Sequence, residues 1–215
     1  MEPNLSASEY AKRKLIIAAI HLFAEYGVDS VSLRMINREA GHKNNSALHY
    51  HFGSKLGLIE AVDHFIQQHF DEVRETALAA LEDRASDGDI GLREILEALV
   101  NPYVEIIQTH DWGYEAIRTI ARMEFDGNAQ VHNLLEKSAG DAVKRFARLL
   151  RPQLPGLKPR DFRRRVNFVV NSTILGFADY RNLHQTYLGD LSTRSLAELA
   201  KFHVDMSAAI LNAPS

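Results

Sequence analysis

Apolar residues along this chain recur at intervals of three and four rather than two, the spacing that places them on one side of an α-helix. Leu15, Ala19, Leu22, Phe23 and Tyr26 keep that interval behind Ser6 and Glu9, a pair spaced for a reciprocal N-terminal cap, and Gly27 ends the segment. A shorter stripe of Leu33, Ile36 and Ala40 has Ser32 as its cap and stops at Gly41. Asn44, Asn45 and Ser46 then offer cap oxygens to a third short helix that carries Leu48, His49, Tyr50, His51 and Phe52 to Gly53. Behind Ser54, a long fourth helix keeps Leu58, Ile59, Val62, Phe65, Ile66, Phe70 and Val73 in helical register until a loop at residues 86–91.

Beyond that loop Leu92, Ile95, Leu96, Leu99 and Val100 form another stripe, which Asn101-Pro102 either kinks or restarts. Helices are expected over residues 111–125 and 130–150, closed by a loop holding Pro152, Pro155, Gly156 and Pro159. Two long helices finish the chain. One shows Phe162, Val166, Val169, Thr173, Phe177 and Tyr180 on a single face; the other, capped by Ser192 or Thr193, shows Leu196, Leu199, His203, Met206 and Ile210. With only 12 Gly and 6 Pro in 215 residues, turn-rich β architecture is disfavoured, and the fold class read from the pattern is all-α.

Composition narrows the functions. Apolar residues at 46% and charged residues at 25% describe a soluble folded chain, and no apolar run approaches the roughly 18 residues of a spanning helix. The polar first residues read as neither signal peptide nor anchor, which points to the cytoplasm. Zero Cys removes disulfides, thiolate zinc sites and a Cys nucleophile together. The net charge of −3 conceals three blocks: residues 1–55 carry 7 Lys/Arg against 5 Asp/Glu, residues 56–100 carry 3 against 11, and residues 101–215 carry 15 against 12. Nine of the last fifteen basic residues lie within 144–165, where Asp161 is the sole acid. These blocks either face solvent or attract one another across packed segments.

Residues 33–51 form short helix, glycine turn and short helix. Two helices joined so tightly cross steeply, and the second projects its N-terminal side chains outward in the manner of a helix that enters a major groove. The residues it would present, Lys43, Asn44, Asn45, Ser46, His49 and His51, are polar hydrogen-bonders with some positive charge, interleaved with inward-facing Ala47 and Leu48. Taken singly, Tyr50 and Phe52 read as core residues, and His51 as either a phosphate contact or a structural hydrogen bond.

The stretch LRMINREAGHKNNSALHYHFGSK, residues 33–55, resembles the DNA-binding domain of the TetR family of transcriptional regulators. The likeness is carried by Phe23, Gly27, Ile36, Ala40, Gly41, Leu48, Tyr50-His51-Phe52, Ser54 and Lys55. It implies a ligand-responsive homodimer, usually a repressor, with residues 43–46 and 49–51, including Tyr50, facing double-stranded DNA and Lys55 meeting a phosphate. His49 stands where the family often has Tyr, and Asn37 where it commonly has Ala. The resemblance implies a head at residues 1–54 and an effector-binding, dimerising body at residues 55–215. In that body, Tyr103, His110, Trp112, Tyr114, Met123 and Phe125 are the candidates for a cavity that takes a small apolar or amphipathic effector. The apolar faces of the two terminal helices are the candidates for a four-helix dimer bundle.

No enzymatic motif competes with this reading. The chain has no GxGxxG, Walker loop, GxSxG or HExxH. Among ten His no two are four residues apart, so neither a metal nor a cofactor is expected. The alternative is a helical ligand-binding or enzymatic protein whose DNA-binding head is vestigial.

Overall fold

The computed structural model describes residues 6–41, 46–85, 88–125 and 129–214. Their regular structure is helical, apart from one isolated bridge between Thr186 and Gly189. In chain order the helices are α1 (Ala7–Tyr26), α2 (Leu33–Glu39), α3 (Ser46–Phe52), α4 (Lys55–Ala85), α5 (Leu92–Thr109), α6 (Gly113–Phe125), α7 (Ala129–Gln153), α8 (Pro159–Asp179) and α9 (Leu196–Asn212). The all-α class is thus observed directly.

Local chemistry sets most of the boundaries. Ser6 and Glu9 form the reciprocal cap of α1, with the Ser6 backbone N–H donating to the Glu9 carboxylate at 2.9 Å. Gly27 ends that helix at φ 79°. Ser32 caps α2 by accepting from the Met35 N–H, and Ser54 caps α4 by accepting from the Gly57 N–H at 3.0 Å. Helix α5 runs through Pro102, whose ring is buried, so that site does not restart a helix. Two expectations need correction. The cap of α9 is Ser195, whose hydroxyl accepts from the Glu198 N–H, because residues before it adopt a non-helical loop in which Ser192 bonds Asp190 instead. Tyr180 does not continue α8 but opens a 3₁₀ turn, Tyr180–Gln185.

The chain forms two compact units. The first comprises residues 1–68 and 112–138; the second, residues 69–111 and 139–215. In the first unit the C-terminal half of α1 is largely buried, through Leu15, Ile16, Ala19, Ile20 and Phe23, and the helix packs against both α2 and α6. The Thr119 hydroxyl of α6 donates to the Ile20 carbonyl at 2.9 Å inside that contact.

In the second unit α9 packs on α5 and α8. Rings fill its centre: Phe70 meets Tyr103 edge-on at 5.1 Å, Tyr103 stacks on Phe177 at 5.4 Å, and Phe177 stacks on His203 at 5.2 Å. Burial pushes the Tyr103 phenol up to about 12 and holds the His203 imidazole below its ordinary value. Charges fasten the periphery. Arg145 of α7 forks onto Glu75 and Glu82 of α4 at 2.6 and 2.8 Å, which joins the acidic block to the basic one. Arg165 donates to the carbonyls of Ile210 and Leu211 at the end of α9, where helical carbonyls lack partners.

This packing corrects the reading of the terminal helices. Phe162, Val166, Val169, Thr173 and Phe177 of α8, with Leu199 and His203 of α9, are buried within the chain and leave no surface for a partner. Leu196, Ile210 and Tyr180 are half-buried, and Met206 is exposed. The apolar residues these helices turn outward are Phe168, Leu175, Phe202 and Met206.

Candidate nucleic-acid interface

Three elements build this site in the first unit. Helix α2 buries Ile36 and Asn37, which settles position 37 as an interior one, and exposes Arg34 and Arg38 one turn apart. Gly41 follows at φ 75°, the left-handed conformation that favours glycine. Lys43, Asn44 and Asn45 lie outside the described residues, as does the side chain of Ser46.

On α3, Leu48 is fully buried and fixes which side of the helix faces the interior. His49 and Tyr50 are therefore exposed, Tyr50 by 82%, which overturns its assignment to the core. His51 and Phe52 are half-buried. The His51 ring meets Tyr50 edge-on at 5.1 Å and Phe52 at 5.9 Å, and a ring nitrogen of His49 lies 3.2 Å from the Gly53 carbonyl. The exposed side of α3 thus offers an imidazole and a phenol next to one another.

The corner between α3 and α4 is tighter than the sequence reading anticipates. A Cβ on Gly57 would lie 2.2 Å from the Phe52 carbonyl oxygen, so the first turn of α4 rests directly on the end of α3. Lys55 was expected at a phosphate, and its ammonium here donates to the Asp29 carbonyl at 3.0 Å, tying α4 to the turn after α1. Neither Gly57 nor the Arg34/Arg38 pair was singled out from sequence. For the arginines the signal existed: two cations four apart on the outward side of α2.

Residues 15–62 match the family model of bacterial regulatory proteins of the tetR family, and residues 97–209, more than half the chain, match that of the tetracyclin repressor-like C-terminal domain. The chain belongs to the TetR family. As a TetR-family protein it is a transcriptional regulator with an N-terminal DNA-binding domain and a larger helical remainder. A TetR-like transcriptional regulator from Rhodococcus sp. RHA1 shares 17% identity over 99% of this chain and 100% of its own, with a TM-score of 0.65. The transcriptional regulator FadR from Bacillus subtilis, solved in complex with stearoyl-CoA, shares 10% identity over 94% of this chain and 99% of its own, with a TM-score of 0.64. A Saccharomonospora viridis protein solved in complex with choline shares 18% identity over 92% of this chain and 95% of its own, with a TM-score of 0.59. At such identities the likeness is one of fold. No curated protein sequence matches the chain.

The effector candidates of this TetR-family chain fall in both units. Tyr103 and His110 belong to the second, where Tyr103 sits between Phe70 and Phe177 and His110 meets His69 edge-on at 4.9 Å. Trp112, Tyr114, Met123 and Phe125 belong to the first. There Trp112 lies 5.0 Å from Phe65, Tyr114 and Met123 are buried, and Phe125 at the end of α6 is exposed rather than enclosed. Among the described residues no helix is long and apolar enough to cross a membrane, and no group of three or more His, Asp or Glu is placed to hold a metal.

Proposed function

We propose that this chain is a ligand-responsive repressor that acts in the cytoplasm as a homodimer and occupies an inverted-repeat operator. The observation that carries the reading is the exposed side of α3, with Leu48 turned inward and His49 and Tyr50 outward, inside the segment that matches the family's regulatory model. Lys43, Asn44, Asn45, Ser46, His49, Tyr50 and His51 would read the major groove or its edges, and Lys55, with Arg34 and Arg38, would meet the backbone. Residues 1–54 act as the head, and residues 55–215 as the effector-binding and dimerising body.

The exposed apolar side of α8 and α9, Phe168, Leu175, Phe202 and Met206, supports a dimer that pairs these two helices with their copies. An amphipathic effector finds support in the acyl-CoA held by the similar Bacillus subtilis protein. Tyr103 and His110 are the proposed contacts in the second unit, and Trp112, Tyr114, Met123 and Phe125 those in the first. An effector releases DNA only to the extent that it favours the state whose heads are wrongly spaced. Selection of binding sites from genomic DNA, followed by footprinting, tests the core of this proposal. A protected inverted repeat that His49→Ala and Tyr50→Ala weaken is expected; equal affinity for random and selected DNA overturns it.

A further inference from the structure

Helix α8 keeps two faces at helical spacing, and only one of them packs within the chain. Phe162, Val166, Val169, Thr173 and Phe177 are turned inward. The side opposite them reads Arg160, Arg164, Phe168, Asn171, Leu175 and Asp179, again at intervals of three and four. All of these are exposed except Asn171, which is half-buried. Phe168 keeps 57% of its surface open and Leu175 46%, in the middle of a helix of 21 residues. The outward stripe therefore carries cations over its first turns, apolar side chains at its centre and a carboxylate at its end.

Such an order is complementary to itself in one direction only. When two copies of α8 lie antiparallel across a twofold axis, an axis between residues 171 and 172 sets Phe168 on the partner's Leu175 and Arg164 opposite the partner's Asp179, and symmetry makes each contact twice. A parallel pairing would instead oppose Arg164 to its own copy, like charges within an interface. Arg164 and Asp179 each lie about 11 Å along the helix from that axis. A shallow crossing of about 20° keeps a long guanidinium within reach of a carboxylate at that distance. The Asp179 carboxylate is held ready, because it accepts from the Asn182 side-chain amide at 2.7 Å while the residue stays exposed.

We propose that α8 pairs antiparallel with a second copy of itself about an axis between residues 171 and 172, with Phe168 packed on the partner's Leu175 and Arg164 in an ion pair with the partner's Asp179. The proposal rests on the homodimer reading and adds to it an orientation and a register. Sedimentation equilibrium of the full-length protein without DNA tests it. Arg164→Asp and Asp179→Arg each set two like-charge pairs in the interface, so the apparent dimer Kd is expected to rise at least about tenfold in either variant alone. Their equimolar mixture should regain the parent's affinity to within about threefold, because one protomer then supplies both carboxylates and the other both guanidiniums. Arg163→Asp, exposed but off the stripe, is expected to dimerise like the parent. Should Asp179→Arg lose its helical circular dichroism through the Asn182 bond, Phe168→Glu mixed with Leu175→Lys repeats the test at the inner contact. The proposal is overturned if both single variants dimerise like the parent, if Arg163→Asp weakens the dimer equally, or if the mixture of folded variants stays monomeric; with Phe202→Glu still monomeric, the homodimer reading survives those results. A monomeric parent removes the homodimer reading itself, and this proposal with it.

Discussion

A Cβ built on Gly176 would lie 2.1 Å from Cε1 of His203, so the crossing of α8 and α9 admits no side chain there. Gly176→Ala must displace a ring that is stacked on Phe177, and a loss of about 1 to 3 kcal/mol is expected from urea unfolding. His203 itself links folding to protons. Because burial lowers its pKa from 6.5, the unfolded chain holds a proton that the folded chain refuses, and stability falls as pH drops below about 6.5. The slope contributed by one such group reaches at most about 1.4 kcal/mol per pH unit. Unfolding series from pH 8 to 5 should therefore be flatter for His203→Gln than for the parent; identical slopes would assign the protons elsewhere. Sequence pattern placed His203 and Phe177 on apolar faces but assigned those faces to a partner copy, whereas both side chains are buried within the chain. A stripe that packs on its own chain and one that packs on a copy are both apolar at the same spacing.

Between elements, the α3–α4 corner rests on Gly57 and Lys55. Gly57→Ala would press a methyl against the Phe52 carbonyl and re-aim α3, so operator affinity is expected to fall although residue 57 faces no base. Lys55→Ala separates two roles. A phosphate contact predicts weaker binding to all sequences and a salt slope lower by about one, whereas the observed tie to the Asp29 carbonyl predicts a lower melting temperature with the slope unchanged. Arg145 plays a comparable part between α4 and α7. Its hydrogen bonds hold the Glu75 and Glu82 carboxyls below the usual 4.5, so the stability they add is present above that value and is lost as pH falls further. Arg145→Met should erase that acid-side dependence, as read by thermal unfolding between pH 5 and 3. Caps and glycine stops were legible in sequence because each involves residues within about four positions of one another. Gly57 was not, because its constraint comes from a carbonyl on the preceding helix, across a turn.

For the whole molecule, the surface left over after folding decides how copies can associate. Phe202→Glu, on an exposed position, is expected to yield folded monomer in sedimentation at micromolar concentration. Phe177→Glu should instead unfold the chain, since that ring has no exposure and a buried, unpaired carboxylate cannot be accommodated. A folded dimer of the Phe202 variant would move the interface elsewhere. The opposed charge blocks left open whether they face solvent or meet, and sequence alone could not single out Arg145, one of the nine basic residues in 144–165, as one that reaches Glu75 and Glu82.

The position of α6 along α1 also bears on modularity. A graft that carries residues 1–54 alone onto a foreign body takes α1 without the α6 helix that packs on it, baring Ile20 and leaving the Thr119 bond unmade. Such chimaeras should be insoluble, while those that transplant residues 1–68 together with 112–138 should fold. Evolution by exchange of heads is then constrained to recombination events that bring a distant stretch of the same gene along, and cuts at the helix-turn-helix boundary are the ones it would discard.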